Sequence, residues 1–150
     1  MLSKFRTKLL CLLLSLAGQI SYAQPEAFLS GPEQIRPGHG TGLVLTIYRN
    51  GITGPIRFVQ KIPKGWQAGP LPVFNADMQV VENQIQITWL QIPLNDTIQI
   101  AYELHVPKTE NIGQTYLLDA QLQYFENNNR KAIAVRPQVL KIVKFFSRFQ

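Results

Sequence analysis

Residues 98 to 106 constrain this chain more than any other stretch. Ile98, Ile100, Tyr102, Leu104 and Val106 fall on one face of an extended chain, with Gln99, Ala101, Glu103 and His105 on the other. Successive side chains of a strand point to opposite faces, so this run marks a half-buried β-strand. The same period recurs elsewhere. Leu43, Leu45 and Ile47 alternate with Val44, Thr46 and Tyr48, and Ile85, Ile87 and Trp89 oppose Gln84, Gln86 and Thr88. Ile56, Phe58, Gln60 and Ile62 form a further alternating set. No window has the apolar spacing of an amphipathic helix.

Turn chemistry separates these runs. Asn50-Gly51, Gly54-Pro55, Pro63-Lys64-Gly65, Asn83-Gln84, Pro93-Leu94-Asn95-Asp96 and the polar tip Glu126 to Lys131 punctuate the chain. Tyr116 to Phe125 is partly apolar on both faces, as in a central strand. Ala132 to Val143 returns as a last strand interrupted by Pro137, which removes a ladder donor and predicts a sheet edge or a bulge. The expected fold is all-β: an antiparallel immunoglobulin-like β-sandwich of seven to eight strands over residues 24–144. Its core is expected to include Leu45, Ile47, Phe58, Ile87, Trp89, Ile100, Tyr102, Leu104 and Leu122.

The first 23 residues read differently. Lys4, Arg6 and Lys8 precede the largely apolar stretch Leu9 to Ala17, and Ser21-Tyr22-Ala23 places small residues at −3 and −1 of a cleavage site. This is the order of a secretory signal peptide, and the apolar run is too short to span a bilayer. The mature chain is expected to begin at Gln24 and to act in the periplasm or at the cell surface. Loss of three basic residues lowers the net charge from +6 to +3, which weakens a nucleic-acid reading. The lone cysteine, Cys11, lies in the removed segment, so disulfides, Cys-based metal sites and a thiol nucleophile are excluded from the mature chain. Lys8-Leu9-Leu10 before it does not suit lipoprotein cleavage.

Acid–base chemistry has little to work with. Only His39 and His105 are available as residue types suited to acid–base work at neutral pH. His105 shares a strand face with Glu103, and the pair reads as a solvated couple. His39 lies in the flexible Pro37-Gly38-His39-Gly40 loop. The Gly38-x-Gly40-x-Gly42 spacing leads into a β pattern, whereas a phosphate cradle requires a helix. No cofactor, metal site or catalytic residue is expected, and the chain is read as a non-enzyme. Six or more prolines break the strands too often for a small outer-membrane barrel, which needs runs of about 9–11 residues.

Leu43 to Pro107 resembles the immunoglobulin-like repeat module of bacterial cell-surface and envelope proteins. The likeness is carried by Leu43 to Tyr48, by Ile62-Pro63-Lys64-Gly65-Trp66 in place of the family's L-P-x-G turn, by the Trp-bearing Ile85 to Trp89, and by Asp96 to Tyr102. The family's Asn-Thr-Gly segment survives loosely as Asn50 to Gly54. The resemblance implies a spacer, stalk or docking platform.

The expected function is therefore a non-catalytic, exported interaction or structural module that docks onto a larger envelope assembly; carbohydrate binding or service as an accessory domain of a secreted enzyme is the alternative. Residues 145–150 form a cationic aromatic tail. Phe145, Phe146 and Phe149, interleaved with Lys144 and Arg148, are partner-binding candidates. They could also meet a membrane surface. Trp66 is a further candidate, as a partner-anchoring aromatic at the sandwich rim or as a cap on the core. Thr97, in Asp96-Thr97-Ile98, is a candidate O-glycosylation site.

Overall fold

The computed structural model describes residues 24–70 and 75–144. The signal segment, residues 1–23, and the tail with Phe145, Phe146 and Phe149 lie outside the described residues. Those described contain no helix. They form ten strands: β1 (Glu26–Ser30), β2 (Gln34–Ile35), β3 (Gly40–Tyr48), β4 (Ile56–Lys61), β5 (Gln67–Pro70), β6 (Asp77–Val81), β7 (Gln84–Trp89), β8 (Thr97–His105), β9 (Thr115–Glu126) and β10 (Asn129–Ile142).

The period-2 faces set these strands. In β8, Ile98, Ile100, Tyr102 and Leu104 are buried, while Thr97, Gln99 and His105 are exposed. All nine residues expected in the core are no more than 4% exposed. Burying one such side chain stabilises the fold by about 1.5–3 kcal/mol, so the strand faces are strongly specified.

Two hairpins close on tight turns. Glu82 and Asn83 (φ 47° and 63°) join β6 to β7, and Asn127 and Asn128 (φ 50° and 61°) join β9 to β10. Paired left-handed residues match the twist of the flanking strands. The first turn lies one residue earlier than the expected Asn83-Gln84, because Glu82 takes the left-handed position beside Asn83. At Pro63 to Trp66 the Trp66 N–H donates to the Pro63 carbonyl at 3.1 Å. Gly65 (φ 87°) supplies the positive φ required at the third position of that turn.

Strand order is β5-β8-β3-β1-β10-β9-β4-β7-β6, with β2 also paired to β10. The pairs β1/β10 and β2/β10 are parallel and the rest antiparallel. The expectation of seven to eight antiparallel strands is thus corrected to ten strands in a mixed, nearly closed sheet. β10 is an interior strand, so the sheet-edge alternative for Pro137 is also corrected. Val135 pairs with Ala120 and Gln138 with Leu118, leaving Arg136-Pro137 opposite the single residue Asp119. This bulge accommodates the missing proline donor. Near it β10 changes outer neighbour: Arg136 pairs with Phe28 of β1, and Lys141 and Ile142 pair with Gln34 and Ile35 of β2.

The sheet curls so that β8 and β4, well separated in strand order, face each other. The rings of Phe58 and Tyr102 lie 6.1 Å apart, and the Tyr102 hydroxyl donates to Gln60 Oε1 at 2.6 Å. Both residues are fully buried. Burial pushes the Tyr102 phenol pKa far above its ordinary value.

Candidate functional site

Trp66 enters the structure directly after the Gly65 turn and is 4% exposed. Its indole N–H donates to Glu110 Oε2 at 2.9 Å, and its ring meets that of Tyr116 edge-on, 4.9 Å between centroids at 66°. The Tyr116 hydroxyl donates to the other oxygen of Glu110. One carboxylate therefore ties the lead-in to β5 to the start of β9. Tyr116 and then Trp66 hold Glu110 below the usual carboxylate range, and Glu110 raises the Tyr116 phenol to about 12. As a rim anchor for a partner, Trp66 is corrected: its apolar face is covered and its donor occupied, so it caps the core. Neither Glu110 nor Tyr116 stood out in the sequence, since the contact joins residues 44 apart.

Thr97 opens β8 opposite Tyr48 and is exposed. Neighbouring Asp96 accepts from Arg49 at 3.4 Å. His105 and Glu103 pair at 3.3 Å with half-exposed side chains. They lean over the bare backbone of Gly40, where a Cβ would lie 2.2 Å from Glu103 Oε1. His39 Nδ1 lies 3.0 Å from the Pro37 carbonyl oxygen. Among the described residues, no group of three or more His, Cys, Asp or Glu side chains could hold a metal ion.

The two most exposed large apolar side chains among the described residues lie elsewhere, where β7 passes into β8. Leu90 is 79% exposed, Leu94 94% and Phe125 51%. Between the two leucines, Ile92 packs against the core. Residues 90, 92 and 94 thus alternate out, in and out. Arg49 fixes the loop: its backbone N–H donates to the Asp96 carbonyl at 2.9 Å, and its guanidinium donates to the Leu94 carbonyl at 2.9 Å. The two leucines are held outward by a partly buried neighbour and a hydrogen-bonded arginine.

They border a groove of about 590 Å³ lined by Asn75, Asp77, Thr88 and the loop. Through Thr88 and Leu90 it adjoins a recess of about 220 Å³ bordered by Pro55, Arg57, Phe125 and Arg130. In the sequence Leu90 and Leu94 were indistinguishable from ordinary turn residues beside Pro93.

No family model and no curated protein matches the chain. Among solved structures, an inactive variant of a GH20 exo-β-N-acetylglucosaminidase from Vibrio harveyi aligns with 84% of this chain and 20% of its own, at 7% identity and a TM-score of 0.47. The same enzyme in complex with N-acetylglucosamine gives 6% and 0.42 over the same shares. Spo0M, a sporulation control protein from Bacillus subtilis, aligns with 79% of this chain and 50% of its own, at 9% identity and a TM-score of 0.43. The chain spans a fifth to a half of the lengths it matches, and the likeness is a distant one of all-β fold.

Proposed function

We propose that the protein is an exported, non-catalytic interaction module of the bacterial envelope, built on an immunoglobulin-like sandwich, that docks onto a larger protein assembly. The observation that carries this reading is the apolar lip of Leu90, Leu94 and Phe125. Single exposed apolar residues are ordinary on protein surfaces, but a contiguous exposed apolar patch marks an interaction site. Arg49 and Ile92 hold the lip in place, which lowers the ordering cost of association. The aromatic tail, with Phe145, Phe146 and Phe149, adds further anchors in this reading.

Co-purification from the native envelope tests the proposal. The wild-type protein should bring down a defined partner, and Leu90→Ser/Leu94→Ser should lose it with melting temperature unchanged. Equal recovery with both proteins would remove the lip from the function. Intact mass of the same material should show a chain starting at Gln24; a retained Met1 would contradict export with signal cleavage.

A further inference from the structure

The outer face of β7, β4, β9 and β10 is a shallow polar trough beside the apolar lip, about 400 Å³ in volume. The registry places its side chains. Gln86 pairs with Val59, and Val59 in turn with Gln121, so two amides flank one small apolar residue in a single row. In the next row Arg57 lies between Thr88 and Gln123, and at the end Arg130 pairs with Phe125. Lys61, opposite Gln84, closes the other end. Side chains on one sheet face stand roughly perpendicular to it, with strands about 4.8 Å apart, so these groups form a continuous array.

The charges in this array are unbalanced. Arg57, Lys61 and Arg130 make no ion pair among the described residues, whereas Arg49, His105 and Lys131 each have an acidic partner. Asp119 is the single carboxylate lining the trough. Arg130 donates to Gln123 Oε1 at 2.5 Å, which fixes its guanidinium over β9 and leaves the Gln123 amide donors for another acceptor. Each glutamine amide offers both donors and an acceptor, suited to sugar hydroxyls, and a guanidinium suits a planar carboxylate or a sulfate. The trough floor has only the small apolar side chain of Val59, so it lacks the deep apolar pocket in which a protein partner's anchor would sit.

We propose that this trough binds an anionic oligosaccharide, with carboxylate or sulfate groups on Arg57 and Arg130 and hydroxyls on the amides of Gln86, Gln121 and Gln123. It is a site separate from the leucine lip, and either can fail without the other.

Affinity gel electrophoresis of the intact protein tests this, with polygalacturonate, dextran or poly-glutamate in the matrix. Retardation is expected in polygalacturonate, decreasing with added salt as expected for screened charge, and should be at most slight in dextran. Arg57→Gln/Arg130→Gln should weaken it at least tenfold with melting temperature unchanged, and Lys131→Gln should not. Gln121→Ala/Gln123→Ala keeps every charge and should weaken it several-fold; it also serves if the arginine variant does not fold. No retardation, equal retardation in poly-glutamate, or indifference to the glutamine substitutions would overturn the assignment, the last two by reducing it to general attraction for polyanions. Leu90→Ser/Leu94→Ser should bind polygalacturonate normally, which separates this site from the docking proposal.

Discussion

The Tyr102 hydroxyl donates to Gln60 Oε1 at 2.6 Å in the fully buried interior, joining two strands that are not neighbours in the sheet. It is a polar crosslink between facing walls of a largely apolar core, and among the described residues the Gln60 amide nitrogen has no partner of its own. A buried polar group left without its bond costs more than the bond contributes when made. Tyr102→Phe should therefore destabilise by about 1–3 kcal/mol in chemical denaturation. Adding Gln60→Leu to that variant should restore much of the loss. A double variant weaker than the single would show that the pair is favourable in net terms.

Core and lip should respond in opposite ways. Trp89 and Leu104 are at most 1% exposed, and Trp89→Ala or Leu104→Ala should cost roughly 2–5 kcal/mol through lost burial and the cavity left behind. Leu94→Ala, at a side chain that is 94% exposed, should change stability by under about 0.5 kcal/mol. Denaturant midpoints of the three variants make the comparison.

How much of this was legible beforehand depended on how local the signal was. The β8 face was readable because Ile98 to Val106 alternate within one strand, and the Pro137 bulge because proline cannot donate wherever it sits. The parallel joint of β1 to β10 was not readable: Phe28 and Arg136 meet only in the fold, and β1 is five residues among prolines and glycines. The role of Gln60 was not readable either, since its partner Tyr102 lies 42 residues away. The lip was hidden for a related reason, since the exposure of Leu90 and Leu94 depends on Ile92 packing inward and on Arg49 binding the loop.

Glu110 predicts an acid-sensitive end of the molecule. Its carboxyl pKa in the folded protein is lowered, first by the Tyr116 hydroxyl and then by the Trp66 indole. The contribution is thus present above the unfolded pKa, about 4.3, and is lost as pH falls through the folded value. Tyr116 runs the other way. With its phenol raised to about 12, its contribution is complete below an unfolded pKa near 10 and is lost as pH rises through about 12. Melting temperature against pH should show both limbs, and Glu110→Gln should flatten the acid limb. An unchanged acid limb in that variant would assign it to other carboxylates.

Arg49 predicts a separable loop effect. Arg49→Gln removes the guanidinium bonds to the Leu94 carbonyl and the Asp96 carboxylate. Hydrogen exchange should rise across residues 90–96 while the amides of β8 and β9 stay protected. Partner recovery should fall even though both leucines remain. Unchanged exchange in the loop would mean that Ile92 alone fixes it.

The leucine lip is proposed as the surface through which the protein meets an envelope partner. Site-specific photo-crosslinking in the producing cells measures this most directly, with a photoreactive residue placed in turn at positions 90, 94, 112 and 139. Ile112 and Val139 are also exposed apolar positions and serve as controls of matched character. One discrete protein adduct is expected from positions 90 and 94, and none of comparable yield from 112 and 139. Adducts confined to 112 and 139, or equal at all four positions, would contradict it.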